Sequence, residues 1–82
     1  MYRTFQAKEG SVNGSKTLDF TIRMHRIVIV NDSVSDELKF KFHENEDFGT
    51  LKPSETIELE IGAKQLFLST TSLVEYRIWG IG

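Results

Sequence analysis

Thr56-Ile57-Glu58-Leu59-Glu60-Ile61 alternates polar and apolar side chains without a break, and two further stretches share this period. They are Leu38-Lys39-Phe40-Lys41-Phe42 and Val74-Glu75-Tyr76-Arg77-Ile78-Trp79. Successive side chains on a strand point to opposite faces, so a period of two predicts half-buried antiparallel strands. Working outward, Lys16 to Met24 places Leu18, Phe20, Ile22 and Met24 on one face and Thr17, Asp19, Thr21 and Arg23 on the other. Tyr2 to Lys8, Arg26 to Val30, Glu37 to His43, Glu55 to Ile61, Lys64 to Thr70 and Val74 to Trp79 complete the expected strands. Between them lie Asn13-Gly14, Asn31-Asp32-Ser33, Lys52-Pro53-Ser54-Glu55 and Thr70-Thr71-Ser72, which are turn chemistry. Gly62-Ala63 reads as a short hairpin joining the strands on either side of it. No window of 11 residues keeps a helical period with caps. The polar segment 44–49 has room for one helical turn.

The reading is all-β: one domain over residues 1–82, a small antiparallel β-sandwich of about seven strands. Its expected core is Leu18, Phe20, Ile22, Leu38, Phe40, Phe42, Ile57, Leu59, Ile61, Leu66, Leu68, Tyr76 and Ile78. A chain this short buries only about 60–65% of the surface exposed when unfolded, so its stability margin is thin. There is no Cys, which removes disulfides and thiolate metal sites. Association with other chains is then the expected means of compensation.

A net charge of −2 with scattered Lys and Arg gives no footprint for nucleic acid. No apolar stretch is long enough to cross a bilayer, and residues 1–5 lack the apolar region of a signal peptide. Synthesis and folding in a cytoplasm, with no membrane partner, are expected.

His25 and His43 have no Ser, Cys or second His at a recognisable spacing, so no catalytic residue is assigned. The loops 31–37 and 43–47 are rich in oxygen ligands, yet neither has the spacing of an EF-hand, and Asn and Asp are also ordinary turn residues. No metal or cofactor is expected. Tyr76, Trp79 and Phe67 are the aromatics suited to stacking on a pyranose ring, although strand parity puts Tyr76 and Trp79 on opposite faces.

Three departures from the alternation carry more information. Ile27-Val28-Ile29-Val30 is apolar on both faces, whereas a sandwich strand has one core face. Phe67 points away from Leu66 and Leu68. Trp79 and Ile81 share a face with Glu75 and Arg77 rather than with Tyr76 and Ile78. Either a loop of the same chain or another subunit must cover the outer side of the Ile27–Val30 strand. Val28, Val30, Phe67, Arg77, Trp79 and Ile81 are accordingly the expected contacts with another protein chain, with Trp79 as anchor. Lys39 and Lys41 on one strand and Glu58 and Glu60 on another offer charges for cross-strand pairing, or simply a solvated face.

Ile27 to Ser33, then Leu38 to Phe42, then Leu51-Lys52-Pro53-Ser54-Glu55-Thr56-Ile57-Glu58-Leu59, ending in Tyr76-Arg77-Ile78-Trp79-Gly80, resembles small β-sandwich virion structural proteins of tailed bacteriophages. In those proteins an N-D-S turn, a K-P-G-E-T-I turn and a terminal Y-R-I-W-G strand recur in this order. Ser54 here stands where Gly is commoner. The resemblance spans residues 16–80. It implies a non-enzymatic structural part located in the virion, such as a capsid decoration or a tail or baseplate component, made in the host cytoplasm. Its implied partners are other virion proteins or like subunits in a symmetric assembly, and it assigns no functional residues. A carbohydrate- or receptor-binding module is the alternative.

Overall fold

The alternation is realised as eight strands, one more than the turn spacing predicts. The computed structural model describes residues 4–82. In order the strands are β1 (Phe5–Val12), β2 (Ser15–Met24), β3 (Arg26–Asn31), β4 (Leu38–Lys41), β5 (Gly49–Leu51), β6 (Thr56–Leu59), β7 (Ala63–Ser69) and β8 (Val74–Ile81). No helix occurs among the described residues. Two antiparallel four-stranded sheets result, ordered β1-β8-β3-β6 and β2-β7-β4-β5. With eight strands passing back and forth between two sheets in this order, the domain is a jelly roll.

The additional strand is β5. Three residues are too few to display a period, and its place is fixed by pairing of Leu51 with Leu38 and of Gly49 with Phe40. Gly49 is needed there, because a Cβ would lie 2.9 Å from the Phe40 ring.

The boundaries of β1 also move. It runs through Glu9-Gly10-Ser11, expected to be loop, to Val12, and the part of the expected strand at residues 2 and 3 lies outside the described residues. Gly10 is in the ladder opposite Tyr76, and glycine suits the position because a Cβ there would stand 3.0 Å from the Tyr76 hydroxyl. Asn13-Gly14 is the tight turn expected, with Gly14 at φ 96°.

Gly62-Ala63 does not close a hairpin. β6 lies in one sheet and β7 in the other, so these residues carry the chain across the sandwich, where Ala63 pairs with Met24. Parity reports the face a side chain takes but not the sheet its strand joins.

The interior is apolar. Phe20, Met24, Ile27, Ile29, Leu38, Leu51, Leu66, Leu68, Val74, Tyr76 and Ile78 are almost wholly buried, with Leu18, Phe40 and Phe42 beside them. Three differences from the expected core have geometric causes. Ile22 is 39% exposed, because β2 leaves its ladder with β7 between Asp19 and Met24. Ile57, Leu59 and Ile61 are only half-buried, since β6 is an edge strand. Ile27, Ile29, Val74 and Leu51 are central to the core although the alternation did not single them out.

A buried polar residue ties the loops. Asn31 has no exposed surface, and its Nδ2 donates to the carbonyls of Asp36 (2.8 Å), Leu51 (3.1 Å) and Lys52 (3.2 Å). Its Oδ1 accepts from Ser33 N at 2.9 Å. Nearby, Lys52-Pro53-Ser54-Glu55 closes as a turn with Glu55 N donating to Lys52 O at 3.1 Å. Ser54, after Pro53, sits at φ 61°. That conformation is comfortable only for glycine, so Ser54→Gly is expected to stabilise the domain by about 0.5–1 kcal/mol in urea denaturation. No gain, or a loss, would mean that the hydrogen bond from Ser54 Oγ to Ser33 O outweighs the relief of strain.

Candidate interaction surface

With the interior filled by side chains, the groups available for contact are on the outside. Odd-numbered residues of β8 and β1 and even-numbered residues of β3 and β6 face outward from the first sheet, and the ladder registers arrange them in rows. The central row is Ala7, Trp79, Val28 and Glu58, crossing all four strands. Beside it lie Phe5, Ile81 and Arg26, and on the other flank Glu9, Arg77, Val30 and Thr56.

Trp79, Val28 and Ile81 are half-buried, Ala7 is exposed and Phe5 is 63% exposed. The result is an apolar stripe on the solvent side of a sandwich whose core is complete without it. Solvent-side apolar residues scattered singly are ordinary, but adjacent ones across three strands form a patch.

Charged groups frame the stripe. Arg77 donates through Nε to Asp32 Oδ2 at 2.8 Å and through Nη2 to Asp32 Oδ1 at 2.9 Å, a bidentate pair. These hydrogen bonds, and then the Asp32 charge, hold the Arg77 guanidinium above its ordinary pKa. The same guanidinium lies 5.6 Å from the Trp79 ring centre, within cation–π range. On the opposite flank Arg26 reaches Glu60 at 2.9 Å and Glu58 at 3.5 Å. Its pKa is raised first by the hydrogen bond to Glu60 and then by the charges of Glu58 and Glu60. Both arginines are well exposed, so these pairs fix side-chain positions more than they stabilise the fold.

The six residues expected to contact a partner therefore divide. Val28, Arg77, Trp79 and Ile81 come together on this face. Val30 shares its parity but is only 7% exposed, because it stands next to Arg77 in the ladder, whose side chain is drawn across to Asp32. Cover for that part of the Ile27–Val30 strand thus comes from the same chain. Phe67 lies on the outer side of the other sheet, away from Trp79. Phe5 and Ala7 belong to the patch, and sequence reasoning missed both. Polar Glu9-Gly10-Ser11 obscures the β1 period, and only the register with β8 puts them beside Ile81 and Trp79.

Phe67 borders a separate shallow groove of about 320 Å³ with Thr17, Lys41, Glu44 and Phe48. Lys41 Nζ donates to Glu44 O at 2.7 Å and lies 4.6 Å from the Phe48 ring centre and 5.7 Å from that of Phe67. Lys39 and Lys41 are not paired across strands with Glu58 and Glu60, since the two strands belong to different sheets, and the solvated-face alternative is the one that holds. Tyr76, Trp79 and Phe67 do not share a platform: Tyr76 is core, and the other two lie on opposite outer faces.

His25 and His43 are exposed, and the hydrogen bonds described for them are made by their backbone: His25 N donates to Ile81 O, His43 N donates to Glu46 Oε1, and His43 O accepts from Glu46 N. In the 31–37 loop, Asn31 is committed to backbone groups and Asp32 to Arg77. Among the described residues no group of three or more His, Asp or Glu side chains is placed to hold a metal ion. No described helix is long and apolar enough to cross a membrane.

No family model matches the chain, and no curated protein matches it in sequence. Solved structures do share its fold. A cupin superfamily protein from Desulfitobacterium hafniense superposes with a TM-score of 0.65 at 9% identity, over 94% of this chain and 66% of that one. The chain thus spans just under two thirds of that protein. A de novo designed double-stranded β-helix superposes with a TM-score of 0.53 at 15% identity, over the full length of both chains. At such identities the likeness is one of fold: this chain is an all-β double sheet of the jelly-roll kind, similar to a cupin domain.

Proposed function

We propose that this protein is a non-enzymatic structural component of a tailed-bacteriophage virion, a capsid decoration or a tail or baseplate part. In this reading it works by protein–protein contact on the outer face of the β1-β8-β3-β6 sheet. The observation that carries the contact reading is the apolar row Ala7–Trp79–Val28, flanked by Phe5 and Ile81 and framed by fixed charges. An aromatic anchor beside an arginine has the composition of an interface hot spot. The virion assignment rests on the order of turns and strands in the sequence, and the jelly roll is compatible with it, since that architecture recurs in viral capsid domains. The same architecture serves lectins and cupins, so fold by itself does not choose among them.

Trp79→Ala is expected to weaken association by about 2 kcal/mol or more while leaving the β-rich circular dichroism unchanged. Sedimentation of the wild type and the variant, alone and with purified particles, reads both quantities. Mass spectrometry of the particles should find the protein in many copies. Its absence from particles, together with signal on a glycan array, would replace this reading with that of a carbohydrate- or receptor-binding module.

A further inference from the structure

A sandwich of two open sheets has four edge strands, here β1, β6, β2 and β5. Unpaired backbone groups on such edges invite another strand, and folded proteins usually blunt them. Three of the four are blunted. The β1 and β2 edges lie together and are joined by side chains: Gln6 Nε2 donates to Thr21 Oγ1, Thr21 N donates to Gln6 Oε1 at 3.2 Å, and Lys8 Nζ lies 5.8 Å from the Phe20 ring centre. The β5 edge is three residues long.

The β6 edge is also short, four residues, and its charges guard it against like strands, but they leave it open to a strand of opposite charge. Asn31 N donates to Glu55 O, which sets the phase of the β3–β6 ladder. In an antiparallel ladder bonded pairs alternate. Ile57 and Leu59 therefore turn their N–H and C=O toward β3, and Thr56 and Glu58 turn theirs outward. No backbone bond to those outward groups occurs among the described residues. On the inner face, half-buried Ile57, Leu59 and Ile61 leave the margin of the core incompletely covered. On the outer face Glu58 and Glu60 are 57% and 77% exposed, with Arg26 on the β3 side.

A strand laid along β6 would thus meet hydrogen-bonding groups in its plane, apolar side chains below and carboxylates above. A second copy of β6 fits poorly, because Glu58 and Glu60 would face like charges across the new ladder. We propose that β6 is a docking edge for an extended segment of another protein that carries Arg or Lys at alternate positions with apolar residues between them. Its backbone would pair with Thr56 and Glu58, its cations would lie beside Glu58 and Glu60, and its apolar residues would cover Ile57 and Leu59. This edge adjoins the Trp79 stripe, whose row ends at Glu58, but it uses the backbone of β6 and does not depend on the virion assignment.

The probe is a blocked hexapeptide alternating arginine and valine, titrated into isotope-labelled full-length protein. Amide shifts should concentrate at residues 56–60 and at β3, and hydrogen exchange should slow at Thr56 and Glu58. Exchanging both acids for lysine (Glu58→Lys with Glu60→Lys) should weaken binding by about tenfold or more and transfer preference to the glutamate–valine peptide. Glu58→Pro should abolish binding with little change in melting temperature, since the lost N–H faces outward on an edge strand. Four results would overturn the proposal: no binding of the probe, shifts centred on Trp79 or Phe67, undiminished binding to the proline variant, or wild-type self-association through β6.

Discussion

Phe40→Ala is expected to destabilise the domain by about 3–5 kcal/mol. Phe40 is 8% exposed, at the centre of β4, with Leu68 of β7 on one side and Gly49 of β5 on the other. Its ring meets Phe42 edge-to-face, with centroids 6.0 Å apart and planes inclined at 67°. It also covers the backbone of Gly49, where no side chain exists to move into the space left behind. The neighbouring backbones are held in ladders on both sides, so the cavity can collapse only slightly, and that puts the cost toward the upper end. A domain of this length has a total stability of about 4–12 kcal/mol, so the loss removes a large share of it and the variant should melt well below the wild type. Urea denaturation at lower temperature measures the difference. A loss below about 1.5 kcal/mol would show that the β4–β5 hairpin relaxes and is less firmly packed than described.

Asn31→Leu should cost about 2–4 kcal/mol although it adds apolar volume to a buried position. The amide of Asn31 serves the carbonyls of Asp36, Leu51 and Lys52 and the N–H of Ser33, joining the loop after β3 to the loop before β6. Leucine would leave those groups with fewer partners where water is excluded. The loss should be local in its first signs: amides of residues 33–36 and of Lys52, Ser54 and Glu55 should exchange faster than those of β8. Uniform acceleration across the domain, or an unchanged midpoint, would remove Asn31 from the position assigned to it. Asn31→Asp should also be destabilising, since its carboxylate has no N–H to offer the three carbonyls.

Much of this was legible in the alternation. Parity correctly placed Leu38, Phe40, Phe42, Tyr76 and Ile78 inside, and Arg77, Trp79 and Ile81 together outside. Which sheet a strand enters was not legible, because the alternation of side chains is the same in either. The mistaken hairpin at Gly62-Ala63 comes from that gap, and the same gap left open whether Lys39 and Lys41 could pair with Glu58 and Glu60 or face solvent. The surface patch divides in the same way. Its β8 members were visible as a break in the pattern, whereas Phe5 and Ala7 join only through register, and the cover over Val30 depends on where Arg77 finds its carboxylate. Asn31 read as turn chemistry because a buried amide and an exposed one are written with the same letter.

The route of the chain between the two sheets also sets the order in which the molecule can be made. Of the six ladders, only β4–β5 joins strands adjacent in sequence. Every other pairing must close a longer loop before any contact rewards it, which places folding on the slow side, at about milliseconds to seconds. The longest closure brings Phe5–Val12 against Val74–Ile81, and it requires β8 to have been synthesised. Since Trp79 and Ile81 meet Ala7 and Phe5 only through that ladder, a nascent or half-folded chain has no Trp79 stripe to present. Partner binding on that face is thereby delayed until the domain is whole.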